Sequence, residues 1–278
     1  MSLNIASLNS GSNGNCYYVG NQRDEILIDA GLSCRETERR MARLGLSLRN
    51  IKAIFITHEH TDHTGGVEVI SRRYQIPVYL SAATYEHSRL RIDDSLVIRI
   101  NAYAPIQIGE LFINAFPKMH DAIEPHSFTV TDAGVTVGIL TDIGSVCEHV
   151  IRNFRLCHAA FLEANYDEVM LEEGRYPVFL KNRIRGDYGH FSNLQALELF
   201  SRHRPPFMSH LLLSHLSRDN NNPWLVKDLF MKHAGGTRIA IASRDEESEV
   251  YCITGTETQV EPGEALTSGL SPFQMRLF

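Results

Sequence analysis

Short apolar runs recur along the chain and are separated by polar stretches and turn residues. Runs of this kind, rich in β-branched and aromatic residues, are typical of strands. The predicted strands cover residues 16–19, 25–28, 53–56, 78–80, 107–115, 127–131, 135–140, 159–163, 211–214, 238–242 and 249–253. The sequence Thr131-Asp132-Ala133-Gly134 is a turn signal, so the two strands that flank it are predicted to form a hairpin.

Stretches with helical periodicity fall between these runs. The predicted helices cover residues 35–44, 65–74, 82–90, 146–154, 167–173, 193–203 and 223–233. Ser192 precedes one of them as a capping residue, and Pro223 occupies the first turn of another. Strands that come first and then alternate with helices predict an α/β fold, in which two sheets pack face to face with helices outside.

No repeat, low-complexity block or linker divides the pattern, so we expect one domain over residues 1–260. Residues 261–278 are rich in Gly, Pro and Ser, and we expect them to form a loosely packed tail. The hydrophobic fraction is 43% and the charged fraction 22%, as in ordinary globular proteins. No apolar stretch reaches the roughly 18 residues that cross a bilayer. No signal peptide is evident either, so we expect a cytoplasmic protein without membrane association.

The net charge and the cysteine content argue against two kinds of protein. The formal net charge of −6 argues against a protein that grips nucleic acid through global positive charge, although a local basic patch remains compatible with it. The five cysteines are widely spread and include no Cys-x-x-Cys pair. This distribution indicates reduced thiols rather than a disulfide framework or a cysteine-rich zinc site.

The segment Thr57-His58-Glu59-His60-Thr61-Asp62-His63 directly follows a predicted buried strand. Imidazole nitrogens with carboxylate oxygens are the ligand set that suits zinc, manganese or iron. In an extended segment, residues two apart point to the same side, so His58 and His60 can face one metal ion. Asp62 and His63 come one step later and point to a neighbouring position, which predicts a second ion. Polar residues on a solvated loop are the competing interpretation, which this spacing disfavours.

Two metal ions need more ligands than one loop provides, and three further positions close apolar strands. Asp142 could bridge two cations through its two oxygens, or it could simply cap a turn. His215 ends another strand, where a hydrogen-bonded histidine is the plainer interpretation. His120 follows the strand that ends near residue 115, and His126 competes with it for the same role.

Taken in order, Asp29, the His58–His63 segment, His120, Asp142 and His215 resemble the ligand set of the metallo-β-lactamase superfamily. Further segments resemble the YycJ (WalJ) subgroup of bacterial hydrolases. These segments are Ser10-Gly11-Ser12-Asn13-Gly14-Asn15-Cys16, Glu163-Ala164-Asn165-Tyr166-Asp167, Gly189-His190-Phe191-Ser192-Asn193 and His215-Leu216-Ser217-Arg218-Asp219-Asn220-Asn221.

The resemblance implies an αββα sandwich of two mixed sheets with two divalent metal ions (Zn, Mn or Fe) at one edge. It assigns one ion to His58, His60 and His120, and the other to Asp62, His63 and His215, with Asp142 bridging the two. Asp29 would accept hydrogen bonds that hold the histidine segment. The segment Ser10–Asn15 would approach the metal ions.

Two such ions supply hydroxide at neutral pH and offset the charge that develops in the transition state, so no serine or cysteine nucleophile is needed. Asp62 and Asp142 are therefore expected to be catalytic as well as ligands. His190, just before a predicted helix start, is the candidate that serves the leaving group, although a capping or solvent-facing histidine is the alternative. Arg183 and Arg185 could reach substrate phosphates, or they could form a solvated face.

The subgroup resemblance implies a phosphodiester hydrolase, specifically a 5′-to-3′ exonuclease with DNA as its substrate. A small-molecule phosphodiesterase acting on cyclic phosphates is one alternative. A hydrolase of carboxylic esters, thioesters or lactones is another, because one ligand set serves many esters. A metal-binding sensor is the non-enzymatic alternative, and a missing ligand would favour it.

Overall fold

The computed structural model describes residues 2–255, which form two seven-stranded sheets. The strands of the first half are β1 (Ser2–Asn9), β2 (Cys16–Gly20), β3 (Glu25–Ile28), β4 (Ile51–Phe55), β5 (Val78–Leu80), β6 (Val97–Arg99) and β7 (Ile106–Ile108). Those of the second half are β8 (Leu111–Pro117), β9 (His126–Asp132), β10 (Val135–Leu140), β11 (Ala159–Glu163), β12 (His210–Ser214), β13 (Arg238–Ile241) and β14 (Tyr251–Thr254).

Nine α-helices of the described part lie outside the sheets and connect their strands. They are α1 (Cys34–Arg43), α2 (Thr61–Thr64), α3 (Val67–Tyr74), α4 (Ala82–Ser88), α5 (Glu148–Phe154), α6 (Glu168–Glu173), α7 (Val178–Arg185), α8 (Asn193–His203) and α9 (Pro223–Met231). Ser192 and Gln195 form a reciprocal capping box at the start of α8, which explains why that helix begins where the sequence predicts. Within residues 2–255, no helix has both the length and the apolar character that crossing a bilayer requires.

Each sheet is mixed, with a parallel part and an antiparallel part. The first sheet has the order β14-β1-β2-β3-β4-β5-β6 and the second β13-β12-β11-β10-β9-β8-β7. Strands β3 and β4 are parallel, and so are β10, β11 and β12. Because parallel strands end at the same edge, the loops that follow them meet at one side of the sandwich.

Aromatic and branched side chains from both sheets fill one shared core. Phe55 of the first sheet meets Phe128 of the second with ring centroids 5.6 Å apart, and Tyr17 meets Phe161 at 4.8 Å. Two further apolar clusters lie between the outer faces of the sheets and the helices. Strands buried on both faces explain the near-continuous apolar runs in the sequence.

The αββα sandwich implied by the sequence is the architecture observed. Strands β1 and β6 and helices α2 and α7 were not predicted. The strand predicted over residues 107–115 is in fact a hairpin of β7 and β8 that turns at Gly109. The single domain over residues 1–260 stays a prediction, because its last residues lie outside the described range. The tail expected over residues 261–278 also lies outside it.

Candidate metal centre

Loops from both sheets bring the candidate ligands together at the carboxyl ends of the parallel strands. Asp29 follows β3, the segment His58–His63 follows β4, and His120 follows β8. Asp142 comes after β10 and His215 directly after β12. Sequence reasoning located each of these residues at a strand end, and the fold makes those ends neighbours.

Three of these residues have left-handed backbone conformations. The φ angles are +60° at Asp29, +55° at Asp142 and +56° at His215. Such angles are uncommon outside glycine, although Asp and His tolerate them better than most residues. Each conformation turns the chain sharply as it leaves its strand, and strain of this kind is characteristic of functional sites.

Asp29 and Thr57 orient the rings of the histidine segment. The Asp29 carboxylate accepts hydrogen bonds from the Thr57 amide at 2.9 Å and from the Thr57 hydroxyl. Its Oδ2 lies 2.7 Å from Nδ1 of His63, and the Thr57 hydroxyl lies 2.8 Å from Nδ1 of His58. Because both Nδ1 atoms are engaged, the Nε2 atoms of these two rings are left for a metal ion.

One group of ligand atoms comes from His58, His60 and His120, whose nearest donor atoms lie within 4.8 Å of one another. Nε2 of His58 is 3.0 Å from Nδ1 of His60. The Nδ1 atom of His120 is 3.0 Å from the Gly189 carbonyl, which leaves its Nε2 buried without a hydrogen-bond partner. His126 lies instead at the start of β9 and contributes to none of the ligand groups found among residues 2–255.

A second group consists of Asp62, His63 and His215, and Asp142 lies between the two groups. Oδ2 of Asp142 is 3.3 Å from Nε2 of His63, and its Oδ1 is 4.0 Å from Nε2 of His120. Nε2 of His215 is 3.7 Å from the Asp62 carboxylate.

Several buried polar atoms in this cluster lack hydrogen-bond partners within the described structure. They include Nε2 of His120, Nε2 of His215 and Oδ2 of Asp142. Buried polar atoms normally have hydrogen-bond partners, and coordination of an ion is one established reason for an exception. All three point into the same space and are nitrogen or carboxylate donors, so the cluster fits divalent cations.

Burial and the neighbouring charges have opposite effects on the pKa values of the residues in the cluster. Burial lowers the pKa of His120 to about 3 and holds the pKa of His58 well below its usual value. Burial also lowers the pKa of His63, but surrounding carboxylates, led by Asp142, outweigh it and raise that pKa to about 10. Burial raises the pKa of Asp142, yet His215 and His63 prevail and hold it well below its usual value. The site therefore concentrates negative charge that a cation would offset.

Glu163, at the end of β11, is a site residue that sequence reasoning missed. Its fully buried carboxylate accepts hydrogen bonds from the amides of Ile143 at 2.5 Å and Phe191 at 3.3 Å. The same carboxylate lies 2.7 Å from Nδ1 of His190 and 3.0 Å from Nδ1 of His215. A glutamate that ends an apolar strand was the available signal, because burial there requires partners.

His190 lines a cavity of about 220 Å³ above the cluster, together with His215 and Arg183. Its ring centroid is 5.2 Å from those of His120 and His215, and its side chain is partly exposed. Arg183 forms an ion pair with Asp121 at 2.5 Å. Arg185 does not line this cavity and pairs with Glu172 at 2.7 Å.

The loop between β1 and β2 borders the cluster, which is where the resemblance expects it. Nδ2 of Asn15 lies 3.0 Å from Nε2 of His63 and 3.2 Å from the Asp62 carboxylate. The Ser10 hydroxyl accepts a hydrogen bond from the His215 amide at 2.7 Å. The loop thus steadies both ends of the second ligand group.

Comparison with known proteins gives concordant results. The family model of the metallo-beta-lactamase superfamily matches residues 10–154. Exodeoxyribonuclease YycJ of Bacillus anthracis is 33% identical over 82% of this chain and 87% of its own length. Exodeoxyribonuclease WalJ of Streptococcus pneumoniae is 32% identical over 77% of this chain and 81% of its own length. The crystal structure of the metallo-beta-lactamase fold protein YhfI from Bacillus subtilis has a TM-score of 0.70 at 16% identity, covering 91% of this chain and 100% of that one, and it supports the fold.

Proposed function

The chain belongs to the metallo-beta-lactamase superfamily and is a metal-dependent hydrolase, and from that premise we propose that it is a 5′-to-3′ DNA exonuclease with two metal ions. The observation that carries the proposal is the pair of ligand groups on either side of Asp142, one of whose members, His215, lines the same cavity as His190. The likeness to two exodeoxyribonucleases over most of the chain supports DNA as the substrate.

The proposed ligands divide into two sets. His58, His60 and His120 would hold one divalent cation, Asp62, His63 and His215 would hold the other, and Asp142 would be shared. Cations held there would supply hydroxide at neutral pH and positive charge that polarises the ester to be cut. The donor set suits zinc, manganese or iron.

The protein's own residues orient this chemistry. Asp29 and Thr57 fix the ring orientations of His58 and His63 through the hydrogen bonds to Nδ1. Glu163 does the same for His215. Because ligand rings held in this way need no reorganisation when substrate binds, their arrangement lowers the barrier to reaction.

His190 protonates the leaving oxygen. Its Nδ1 faces the buried carboxylate of Glu163 at 2.7 Å, which favours the tautomer with the proton on that nitrogen and fixes the orientation of the ring. The Nε2 atom is then the nitrogen that exchanges a proton with a substrate in the cavity. This arrangement is one in which a carboxylate positions a general acid.

Arg183 supplies positive charge at the cavity rim, where a backbone phosphate would enter. Its ion pair with Asp121 is exposed, so exchange of that partner for a phosphate costs little. Arg185 lies outside the cavity, and we assign it no contact with substrate.

End-labelled, 5′-phosphorylated duplex DNA tests the proposal directly. Protein loaded with manganese or zinc should release nucleotides stepwise from the 5′ end, and His60→Ala should lose this activity because it removes a ligand. If protein that is shown to carry both metal ions did not cleave this DNA, the proposed exonuclease activity would be wrong. Cleavage of cyclic phosphates or of a lactone by that same preparation would identify one of the alternative hydrolases.

A pair of substrates tests the role of His190. His190→Ala should slow cleavage of DNA by about 10²–10⁴-fold, because an alkoxide leaving group needs a proton. The same variant should hydrolyse bis(p-nitrophenyl) phosphate at nearly the wild-type rate, since p-nitrophenolate leaves without one. Equal losses on both substrates would exclude a general-acid role for His190 and indicate a structural one.

A further inference from the structure

We propose that a second groove, beside the metal centre, binds a single strand of the polynucleotide that the centre cuts, with Trp224 stacking against a base. This inference rests on the proposed function and names a binding site for its substrate. The groove lies between helix α9 and strand β13 and has a volume of about 590 Å³.

The groove is continuous with the catalytic cavity. Leu216 and Ser217, which directly follow the proposed ligand His215, line both. Arg244 lines the groove as well, and its main-chain carbonyl accepts a hydrogen bond from Asn13 at 2.8 Å. Because Asn13 belongs to the loop that borders the metal cluster, a strand leaving the catalytic cavity meets this groove next.

Trp224 gives the groove an aromatic surface that the fold does not use. Its residue surface is 80% exposed, although large aromatic residues normally bury most of their area. The backbone beneath it is fixed, because the Asn222 side chain caps α9 by accepting a hydrogen bond from the Trp224 amide at 2.9 Å. An exposed ring on a backbone held in this way is suited to stacking on a nucleobase.

Charge favours an anionic strand in the groove. Its lining includes Arg218, Lys227 and Arg244, and within residues 2–255 none of these three forms an ion pair with a carboxylate. A fourth cation, Arg238, is paired with Glu249 at 2.6 Å. Asp245 and Glu246 are the remaining carboxylates of the lining, so the side chains outside the Arg238–Glu249 pair carry a net charge of +1. Phosphates would find three available cations beside one aromatic ring, which is the combination that single-strand sites use.

An extended peptide is the rival occupant, because β13 is the edge strand of its sheet. A peptide would pair with the β13 backbone and would have no need of an exposed tryptophan or of unpaired cations. The nucleic-acid strand is therefore the occupant that the side chains favour.

Trp224 is the one tryptophan of the chain, so intrinsic fluorescence reports on this ring alone. Metal-stripped protein, which cannot cleave, is titrated with 5′-phosphorylated oligothymidylate. A strand of about 12 nucleotides should quench the fluorescence, because it spans a typical single-strand site, whereas a dinucleotide should not. Unchanged fluorescence with the long strand would overturn the stacking proposal.

Matched variants test the groove in the full-length, metal-loaded protein. Trp224→Ala should weaken binding of the long strand by about 5- to 150-fold and raise KM with little change in kcat. Met231→Ala is the control, because Met231 lies at the far end of α9, is 54% exposed and does not line the groove. Met231→Ala should leave both the cleavage of DNA and the hydrolysis of bis(p-nitrophenyl) phosphate unchanged. If the two variants had the same affinity for the long strand and the same KM for DNA, the groove proposal would be wrong.

Salt dependence tests the cations separately. Lys227→Gln should reduce the slope of log affinity against log salt by about 0.7, the contribution of one phosphate contact to a single strand. Lys232→Gln is the control, since Lys232 pairs with Asp228 and lies outside the groove. If the wild-type protein cuts no DNA but the long strand quenches its fluorescence, the groove proposal is supported and the exonuclease proposal is wrong. If the protein cuts DNA but the Trp224 and Lys227 variants behave like their controls, the exonuclease proposal is supported and the groove proposal is wrong.

Discussion

Asp142 is the side chain that lies between the two candidate ligand groups and faces a residue of each. Its Oδ2 faces His63 of one group while Oδ1 faces His120 of the other, and the left-handed backbone at this residue directs the carboxylate between them. The carboxylate is almost fully buried, so its charge needs partners in the cluster.

Asp142→Ala should therefore abolish turnover and lower the metal content of the purified protein, while the fold persists through its apolar core. Elemental mass spectrometry measures the metal content per protein, cleavage of end-labelled DNA measures turnover, and circular dichroism measures folding. Asp228→Ala, which removes an exposed carboxylate on α9, is the control and should change none of these quantities. Near-wild-type turnover in Asp142→Ala with unchanged metal content would contradict the proposed site.

The competition between His120 and His126 is a second test of the ligand set. His120→Ala removes a ring nitrogen that points at His58 and His60, so metal content should fall by about one ion per chain. His126→Ala removes a buried ring outside the cluster, so it should leave metal content intact, although the lost packing will lower stability. The same elemental analysis decides between them, and the opposite pattern would exchange their roles.

The local spacing of the candidate ligands was readable from the sequence, whereas the choice between His120 and His126 and the role of Glu163 were not. Four candidate ligands could be recognised because they share one short segment after a strand: His58, His60, Asp62 and His63. His120 could not be separated from His126 by spacing, since both lie near strand ends. Glu163 was missed because a single glutamate has no spacing signal. Its partners are His215, directly after β12, and His190, in the loop before α8.

Hairpin turns determine where the strands of the second sheet change direction. Gly109 joins β7 to β8 with φ +59°, and a Cβ atom added there would lie 2.1 Å from the Asp24 carboxylate. Gly134 joins β9 to β10 with φ +84°, and an added Cβ would meet nothing within 4 Å. The two turns share a backbone requirement but differ in steric surroundings.

Gly134→Ala should cost about 1–2 kcal/mol of unfolding free energy, the penalty of placing a Cβ in the left-handed region. Gly109→Ala should cost clearly more, because it adds displacement of the Asp24 carboxylate to the same penalty. Urea unfolding of both metal-free variants measures the difference. Equal losses would show that the Asp24 side chain moves aside freely.

Elements that bury a regular apolar stripe were predicted well, and those that do not were missed. Helix α7 fully buries none of its residues, so it lacks the regular buried apolar stripe on which the helix predictions relied. Strand β1 interrupts its apolar residues with Asn4, Ser7 and Asn9, although most of it is buried. Gly109 looked like an interior glycine in one strand, because only the partner strand reveals a turn.

The two sheets are joined by polar contacts at the end of the sandwich away from the metal centre. Asp24 precedes β3, and its carboxylate accepts a hydrogen bond from the Glu110 amide of the β7–β8 turn at 2.8 Å. It also forms an ion pair with Lys52. Asn21, nearby, donates a hydrogen bond to Asp132 of the second sheet at 3.0 Å. This end thus holds the sheets in register independently of the metal ions.

Asp24→Asn should therefore lower the stability of the metal-free protein by about 1–2 kcal/mol at pH 7, because the Lys52 pair is half exposed. Burial raises the pKa of Asp24, but the hydrogen bonds from Lys52 and Glu110 prevail and lower it. A carboxylate whose folded pKa lies below its unfolded value of about 3.9 stabilises the fold above that value. This stabilisation is lost as pH falls through the folded pKa. Urea unfolding at pH 7 and near pH 3 should show the gap between wild type and variant shrinking with acid. A constant gap would instead assign the loss to changed packing of the amide.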